Sequence, residues 1–337
     1  ACPFVIAGEN DKKIRLIIYA LLAFSLNASL TGQEIPVFYH SQYIFNPYLV
    51  NPAFAGSKDF SILALSARQN IERIANAPNT QILSFHTRFR DFNRLEEEII
   101  ARGTEFTNMA AGGYLYKDDN GPFNKIGMQA TYAYHLPLDK RAISHIAFGI
   151  SFSGFLYTIN YWDLNTLVDP LIAQGRQQTF VPDANIGAYY YGKAHFVGAS
   201  VYQLFESPIK WGSAEFDTIS IQRNYYLYGG YRFLIQNRII VEPSLLVKST
   251  DHDIDQFYNF LDINLRVIYL TFSVGASYRM NEGMAIFGQY QFRNLFLGLA
   301  YEYPFSKIWN YNYGTVEVNV GFNLGKGKNR FGDNRYW

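Results

Sequence analysis

The sequence predicts an all-β protein, a transmembrane outer-membrane β-barrel of about 14 antiparallel strands that follow an ordered N-terminal lead segment. Three observations predict this fold. From Phe60 onward the hydrophobic period is two residues, many alternating segments are about ten residues long, and short connections alternate with long ones.

The composition suits a barrel with one apolar face and one wet face. Charged residues make up 17% of the chain, against about a quarter in soluble proteins, while Tyr (27) and Phe (28) are abundant. A net charge of +1 provides no basic field, so we expect no nucleic-acid partner. No apolar run reaches the roughly 18 residues of a membrane-spanning helix, which argues against a helical membrane protein.

Residues 1–32 are predicted to be an upstream extension and a signal peptide. Lys12, Lys13 and Arg15 precede an apolar run from Leu16 to Leu26, and small and polar residues follow as far as Gly32. This order is typical of a secretory leader, although a buried helix of about three turns is the alternative. We therefore expect an exported protein in the outer membrane.

Alternation defines the predicted barrel, residues 60–325. In residues 315–325, for example, Val318 and Phe322 fall on one face and Glu317 and Asn319 on the other. The predicted strands are 61–69, 80–89, 110–117, 125–136, 144–157, 184–191, 195–204, 224–234, 238–249, 259–268, 270–279, 283–292, 294–303 and 315–325.

The connections predict the orientation of the barrel. They are long at 158–183, 205–223, 250–258 and 304–314 and nearly absent between them, which favours long outer loops and short periplasmic turns. The link 90–109 is long where a short turn is expected. Its pairs Arg94–Glu98 and Glu98–Arg102 predict a short helix, either packed on the barrel rim or docking a periplasmic partner.

The polar face should line the lumen, and aromatic residues should mark the membrane interfaces. Tyr114, Tyr116, Tyr132 and Tyr189 are among the tyrosines expected at the interfaces. Pro243 falls on the lipid face and predicts a bulge. Both charge signs occur in the predicted lumen, so it can pair internally and close or line a wet pore. The charged lumen residues are Arg88, Arg232, Glu242, Lys248, Asp262, Arg266, Glu302 and Glu317.

No motif points to catalysis, a metal or a cofactor, so we expect a non-enzymatic protein without a small-molecule substrate. The six His residues, at 40, 86, 135, 145, 195 and 252, share no metal-binding spacing. Asp251, Asp253 and Asp255 resemble the start of a calcium loop, but Gln256 stands where that loop needs Gly. The single cysteine, Cys2, lies before the apolar run of the leader, which leaves no thiol in the mature chain.

Residues 33–59 are predicted to form a periplasmic, plug-like segment, and residues 326–337 a C-terminal tail. The stretch QYIFNPYLVNPAFAGS (42–57) is too rich in aromatic and aliphatic residues for a disordered lead, and its two Asn-Pro pairs predict two turns. We expect this stretch either to plug the lumen or to contact a periplasmic partner. The candidate residues are Gln42, Tyr43, Asn46, Pro47, Asn51, Pro52, Ala53 and Gly56.

The same stretch resembles the opening signature of the PorP/SprF family. The resemblance continues through ARQ (67–69), APNTQILSFHT (77–87), YAYHLPL (132–138), GGYRF (229–233), EPSLLVKS (242–249) and the final RYW. This chain departs from the family pattern at Gln69-Asn70, where QW is usual, and in the length of the 90–109 link.

The resemblance implies an outer-membrane protein of the type IX secretion system of Bacteroidota. It implies a role in secreting or anchoring large surface adhesins, including gliding adhesins, and contact with periplasmic motor components, without a cofactor. The alternative is a general porin or a channel for hydrophobic solutes, and an outer-membrane hydrolase is a weaker third reading.

Overall fold

Most of the described chain forms strands of one antiparallel sheet. The computed structural model describes residues 42–58, 60–72, 77–90, 106–138, 144–160, 176–210, 218–235, 238–250, 261–305 and 312–325. The predicted leader, the predicted helix of the 90–109 link, the Asp251 loop and the C-terminal tail lie outside these residues.

The strands in the described residues are β1 (Ser61–Glu72), β2 (Asn79–Arg90), β3 (Phe106–Asn120), β4 (Phe123–Pro137), β5 (His145–Asn160), β6 (Arg176–Tyr191), β7 (His195–Tyr202), β8 (Pro208–Lys210), β9 (Thr218–Ser220), β10 (Asn224–Tyr231), β11 (Phe233–Ile235), β12 (Ile239–Thr250), β13 (Leu261–Tyr269), β14 (Phe272–Arg279), β15 (Gly283–Phe292), β16 (Leu295–Pro304) and β17 (Asn312–Leu324).

Fourteen of these described strands, all except β8, β9 and β11, close into a barrel. Each pairs antiparallel with its neighbours, and the first and last strands pair from Ser61↔Leu324 to Glu72↔Asn312. Strands β8 and β9 form a separate hairpin, and β11 pairs with the start of β12. The predicted all-β barrel of about fourteen strands is confirmed.

The two ends of the barrel differ in their connections. At the turn end, residues 192–194 join β6 to β7 and residues 270–271 join β13 to β14. At the loop end, residues 161–175 join β5 to β6 and residues 251–260 join β12 to β13. Strand β1 begins at the turn end, so residues 42–58 lead into the barrel wall there.

The barrel wall has an apolar outer face and a polar inner face. On β17, Val318 and Phe322 are exposed while Glu317 and Asn319 are buried, as the alternation predicts. Large exposed apolar side chains recur around the sheet, for example Phe152 on β5 and Leu299 on β16. This division is typical of a barrel that faces lipid outside. Among the described residues, no helix is long and apolar enough to cross a membrane.

Two strands are much longer than their sequence pattern predicts. Strand β3 begins at Phe106 instead of residue 110, and β6 begins at Arg176 instead of residue 184. The added part of β6 reads RQQTFVPD, which lacks the apolar alternation of a lipid-facing strand. Backbone pairing with β5 as far as Asn160↔Arg176 extends it beyond the alternating region. Backbone hydrogen bonds, which need no particular side chain, define this extension.

The bulge predicted at Pro243 is absent, since the register of β12 is the same on both sides of that residue. Strand β12 pairs Ser244 with Gly230 of β10 and Val241 with Phe233 of β11. The neighbouring strand is interrupted instead, at Arg232, whose N–H donates to Ala194 of the turn that precedes β7. The ladder therefore accommodates the missing N–H of proline by a gap rather than by an extra residue.

Several tyrosines expected at the membrane interfaces face the lumen. Tyr114, Tyr116 and Tyr189 are buried inside, whereas Tyr132 is exposed on the outer face, as expected. In the run Tyr114-Leu115-Tyr116 the leucine faces outward, and alternation then turns both rings inward. The tyrosine count therefore reflects the filling of the lumen as well as the interfaces.

An arginine at Leu299 should destabilise the barrel if the outer face meets lipid. Leu299 is exposed near the middle of β16. We expect Leu299→Arg to lower the free energy of unfolding from phospholipid vesicles by about 2–4 kcal/mol. In the control variant Leu299→Ala, which removes the side chain without adding a charge, the free energy of unfolding should fall by distinctly less. Equal losses for both variants in urea titrations would contradict a lipid-facing position.

Candidate functional site

The N-terminal segment, residues 42–58, consists of three short helical turns. These are α1 (Gln42–Phe45), the 3-10 helix η1 (Pro47–Leu49) and the 3-10 helix η2 (Pro52–Phe54). Each proline stands at the start of a 3-10 turn, where its missing N–H leaves no hydrogen bond unmade. Each Asn-Pro pair therefore begins a new compact turn.

The segment lies within the barrel interior. Tyr48, Asn51 and Ala53 have no exposed surface, and Leu49 and Val50 are also buried. Its polar side chains bond to residues on β2, β4, β6 and β7, and on β13 across the lumen. The segment thus contacts opposite walls of the barrel.

Asn51 ties the segment to two adjacent strands. Its Nδ2 donates to the carbonyl oxygen of Ala188 on β6 (2.9 Å) and of Ala199 on β7 (3.3 Å). Its Oδ1 accepts the N–H of Ala53 at 2.8 Å. The amide uses both its donor and its acceptor groups, a combination that an aspartate of the same size cannot supply.

Asn46 and Tyr48 reach the wall formed by β2 and β4. The Nδ2 of Asn46 donates to Ser84 Oγ at 2.8 Å, and the Tyr48 hydroxyl donates to Thr131 Oγ1 at 2.6 Å. Burial raises the pKa of Tyr48 to about 12, so its hydroxyl keeps the proton that it donates. The Tyr48 ring also packs on His86 with ring centroids 5.1 Å apart.

Two histidines hold the peptide unit between Ala55 and Gly56. The Nε2 of His135 lies 2.8 Å from the carbonyl oxygen of Ala55, and the N–H of Gly56 donates to Nδ1 of His86 at 3.2 Å. In the neutral ring of His135, Nε2 therefore carries the proton, and Nδ1 accepts from the Tyr191 hydroxyl at 2.9 Å. We call His86 and His135 the histidine clamp. It fixes the segment just before β1.

The first turn of the segment contacts the opposite wall. Asn264 of β13 donates from Nδ2 to the hydroxyl of Tyr43. Phe45 packs edge-on against Phe287 of β15 with ring centroids 6.1 Å apart. A Cβ at Gly298 of β16 would lie 2.8 Å from the Phe45 ring, so that glycine leaves room for it. Polar and apolar contacts therefore both anchor the far end of the segment.

Glycines line the wall where the segment comes closest. A Cβ at Gly149 of β5 would lie 2.4 Å from the backbone nitrogen of Ala53, and one at Gly187 of β6 would lie 2.1 Å from Asn51 Oδ1. Both glycines face inward, so any larger residue would displace the segment. Close approach of another backbone is a recognised use of glycine within a strand.

Charged side chains near the turn end pair inside the lumen. Glu242 accepts hydrogen bonds from Nε of Arg232 at 2.6 Å and from Nη2 of Arg266 at 2.5 Å. Glu242 is 1% exposed, so this carboxylate is shielded from bulk water and needs both partners.

A second network lies near the loop end. Arg279 bonds to Glu302 at 2.5 Å and to Asp262 at 3.3 Å, and Arg68 bonds to the other oxygen of Glu302 at 3.1 Å. The two networks and the segment between them occupy much of the described lumen with paired or packed groups.

The polar face predicted from sequence does line the lumen. Arg88, Glu242, Lys248, Asp262 and Glu317 are buried. The side chains of Arg232, Arg266 and Glu302 are between 14% and 17% exposed. The prediction missed Arg68 and Arg279, although both continue the inward phase of their strands.

All eight candidate residues lie in the segment, and seven have described side chains, the exception being Gln42. The prediction missed the wall residues that hold them, above all His86, His135, Gly149 and Gly187. The alternation along their strands does predict that these residues face inward, since Gly149 falls on the polar face of its strand. Which inward residues meet the segment depends on the barrel closing around it.

Within the residues that the structure describes, no group of three or more His, Cys, Asp or Glu could hold a metal ion. His86 and His135 contact the segment near the turn end, where both hold a peptide unit. His145 stacks on Tyr191 with ring centroids 5.0 Å apart. The three histidines therefore take part in packing and hydrogen bonding.

The family model of the type IX secretion system membrane protein PorP/SprF matches residues 32–322. The chain belongs to the PorP/SprF family. This match includes the whole N-terminal segment and nearly all of the barrel, so this PorP/SprF protein is a membrane barrel of type IX secretion. No curated protein matches the chain.

Solved structures of other barrels are similar to this PorP/SprF protein at low identity. The KdgM porin is 10% identical with a TM-score of 0.35, and covers 77% of this chain and 99% of its own. The β domain of the Bordetella autotransporter BrkA is 10% identical with a TM-score of 0.36, over 79% and 98%. A mutant of the Rh. blastica porin is 9% identical with a TM-score of 0.31, over 79% and 99%.

A side chain at Gly149 should displace the segment. In Gly149→Val the new side chain meets the backbone at Ala53, so we expect a cysteine placed at Ala53 to become accessible to a maleimide reagent. The matched control is Gly288→Val on β15, where a Cβ would meet its nearest atom at 3.7 Å. Equal labelling of Ala53→Cys in both backgrounds would show that Gly149 has no part in seating the segment.

Loss of the acceptor in the histidine clamp should cost stability. In His86→Phe the ring contacts are kept but the buried N–H of Gly56 loses its partner, which costs about 1–3 kcal/mol of unfolding free energy. The control is His195→Phe, because His195 bonds to Tyr190 and not to the segment. The clamp is refuted if urea titrations give the same loss for both variants.

Proposed function

We propose that this PorP/SprF protein is a non-enzymatic outer-membrane barrel of the type IX secretion and gliding machinery, closed by its own N-terminal segment. In this proposal it assists the secretion or surface anchoring of large adhesins and also contacts periplasmic motor components. The observation that carries the closed state is the bonding of residues 42–58 to opposite walls, through Asn46 and Tyr48 on one side and Tyr43 on the other.

The closed state distinguishes this proposal from the porin alternative. A general porin needs a continuous wet lumen, and a hydrophobic-solute channel needs an apolar path. Here the buried segment and two ion-pair networks occupy much of the described lumen. A lumen filled in this way supports the closed barrel over either kind of channel.

We infer that the loop end faces outward and holds the exported adhesin. Its candidate surface is the pair of long connections predicted at 158–183 and 205–223, the second of which includes the hairpin of β8 and β9. The turn end would then face the periplasm, where the N-terminal segment enters. Its candidate contacts there are the segment and the 90–109 link. No nucleic acid, small-molecule substrate or cofactor enters this proposal.

Removal of residues 42–57 should open the barrel. Purified wild-type protein in planar lipid bilayers should give little steady conductance, and the deletion variant should give sustained channels. The control is Gly288→Val, which leaves the segment in place. A large, steady conductance from the wild type would favour the porin alternative and overturn the closed state.

The secretion role has a separate readout in cells. Deletion of the gene should leave large surface adhesins unsecreted or unanchored, and the wild-type gene should restore them. If every large adhesin still reached the surface, the secretion role would be wrong even with the closed barrel intact. Crosslinking in cells would identify the partner at either end.

A further inference from the structure

A cavity of about 100 Å³ lies between the N-terminal segment and the barrel wall. The segment contributes Phe45 and Phe54, and the wall contributes further aromatic rings, among them Phe196 and Phe287. Arg232, Glu242 and Arg266 line the same cavity. It is therefore an aromatic cavity with a charged wall, and it adjoins the Tyr43–Asn264 hydrogen bond that anchors the first turn of the segment.

The charged wall keeps hydrogen-bond donors available. Glu242 binds Nε of Arg232 and Nε and Nη2 of Arg266. In the described part of the chain, Nη1 and Nη2 of Arg232 and Nη1 of Arg266 bond to no acceptor, and both side chains are about one-sixth exposed (17% and 16%). Lys58, which also lines the cavity, has a partner of its own. The guanidinium groups are thus the donors that an entering anion would meet.

The charges of this wall do not cancel. Two guanidinium groups flank one carboxylate, so these three groups carry one net positive charge beside aromatic rings, and the Lys58 ammonium lines the same cavity. The Arg232 guanidinium also stacks over the Phe196 ring at 5.2 Å, which holds its plane at the cavity wall. A monoanion suits this wall better than a dianion, because a second negative charge would lie close to the buried carboxylate of Glu242.

We propose that this cavity binds a small free monocarboxylate with an aromatic or short aliphatic body. The planar carboxylate would accept paired hydrogen bonds from the guanidinium groups, and the body would lie among the phenylalanine rings. The cavity volume suits an acid about the size of benzoate and leaves no space for a polypeptide.

The test compares benzoate with benzamide, which has the same shape and no charge. Ligand-observed NMR titrations would use the full chain in detergent micelles, with empty micelles subtracted. We expect benzoate to bind at least about tenfold more tightly than benzamide, because hydrogen bonds from the guanidinium groups to a charged carboxylate are roughly twice as strong as those to a neutral amide. Equal affinity for both probes, or no binding of either, would overturn the proposal.

Substitutions of single arginines test whether benzoate binds in this cavity. Arg232→Gln removes one guanidinium group but leaves Glu242 paired with Arg266, so we expect about a tenfold weaker binding of benzoate and no change for benzamide. The control is Arg293→Gln, at a turn of the same barrel end but outside the cavity lining. A folded Arg232→Gln barrel that binds benzoate as the wild type does would overturn the site. If that variant does not fold, the comparison of benzoate with benzamide on the wild-type protein still tests the proposal.

Discussion

The pairing of β1 with β17 is the constraint on which the rest of the structure depends. Hydrocarbon offers no hydrogen-bond partner to a strand edge, so a sheet in a membrane is stable only when its first and last strands meet. The ladder from Ser61↔Leu324 to Glu72↔Asn312 makes that closure. Closure also fixes one inside and one outside for every strand, so a period of two in sequence becomes a lipid face and a lumen.

Closure creates an interior in which the buried polar and charged groups need partners. Arginines and carboxylates turned inward cannot reach bulk water freely, and they pair with each other, as Glu242 does with Arg232 and Arg266. The N-terminal segment faces the same demand for its backbone. Its Ala55–Gly56 peptide unit gains a donor from His135 and an acceptor in His86. Wall and segment thus complete each other's hydrogen bonds.

Much of the wall could be predicted from sequence, because alternation is a local property. The inward position of Glu317 and the outward position of Phe322 follow from parity alone. For the tyrosines the assignment by residue type was wrong and alternation was right, since Tyr114 and Tyr116 were assigned to a membrane interface without regard to the phase of their strand. Alternation gave no sign of the polar extension of β6, which depends on backbone pairing with β5.

The sequence by itself determined the barrel, its strand number, the family signature and the two turns of the Asn-Pro pairs. These depend on neighbours along the chain, through side-chain period and the fixed geometry of proline. The tertiary structure alone decided which wall residues meet the segment. Gly149 lies 96 positions from Ala53 along the chain, and Asn51 lies 137 from Ala188. Such contacts follow from closure of the whole sheet, and no local pattern encodes them.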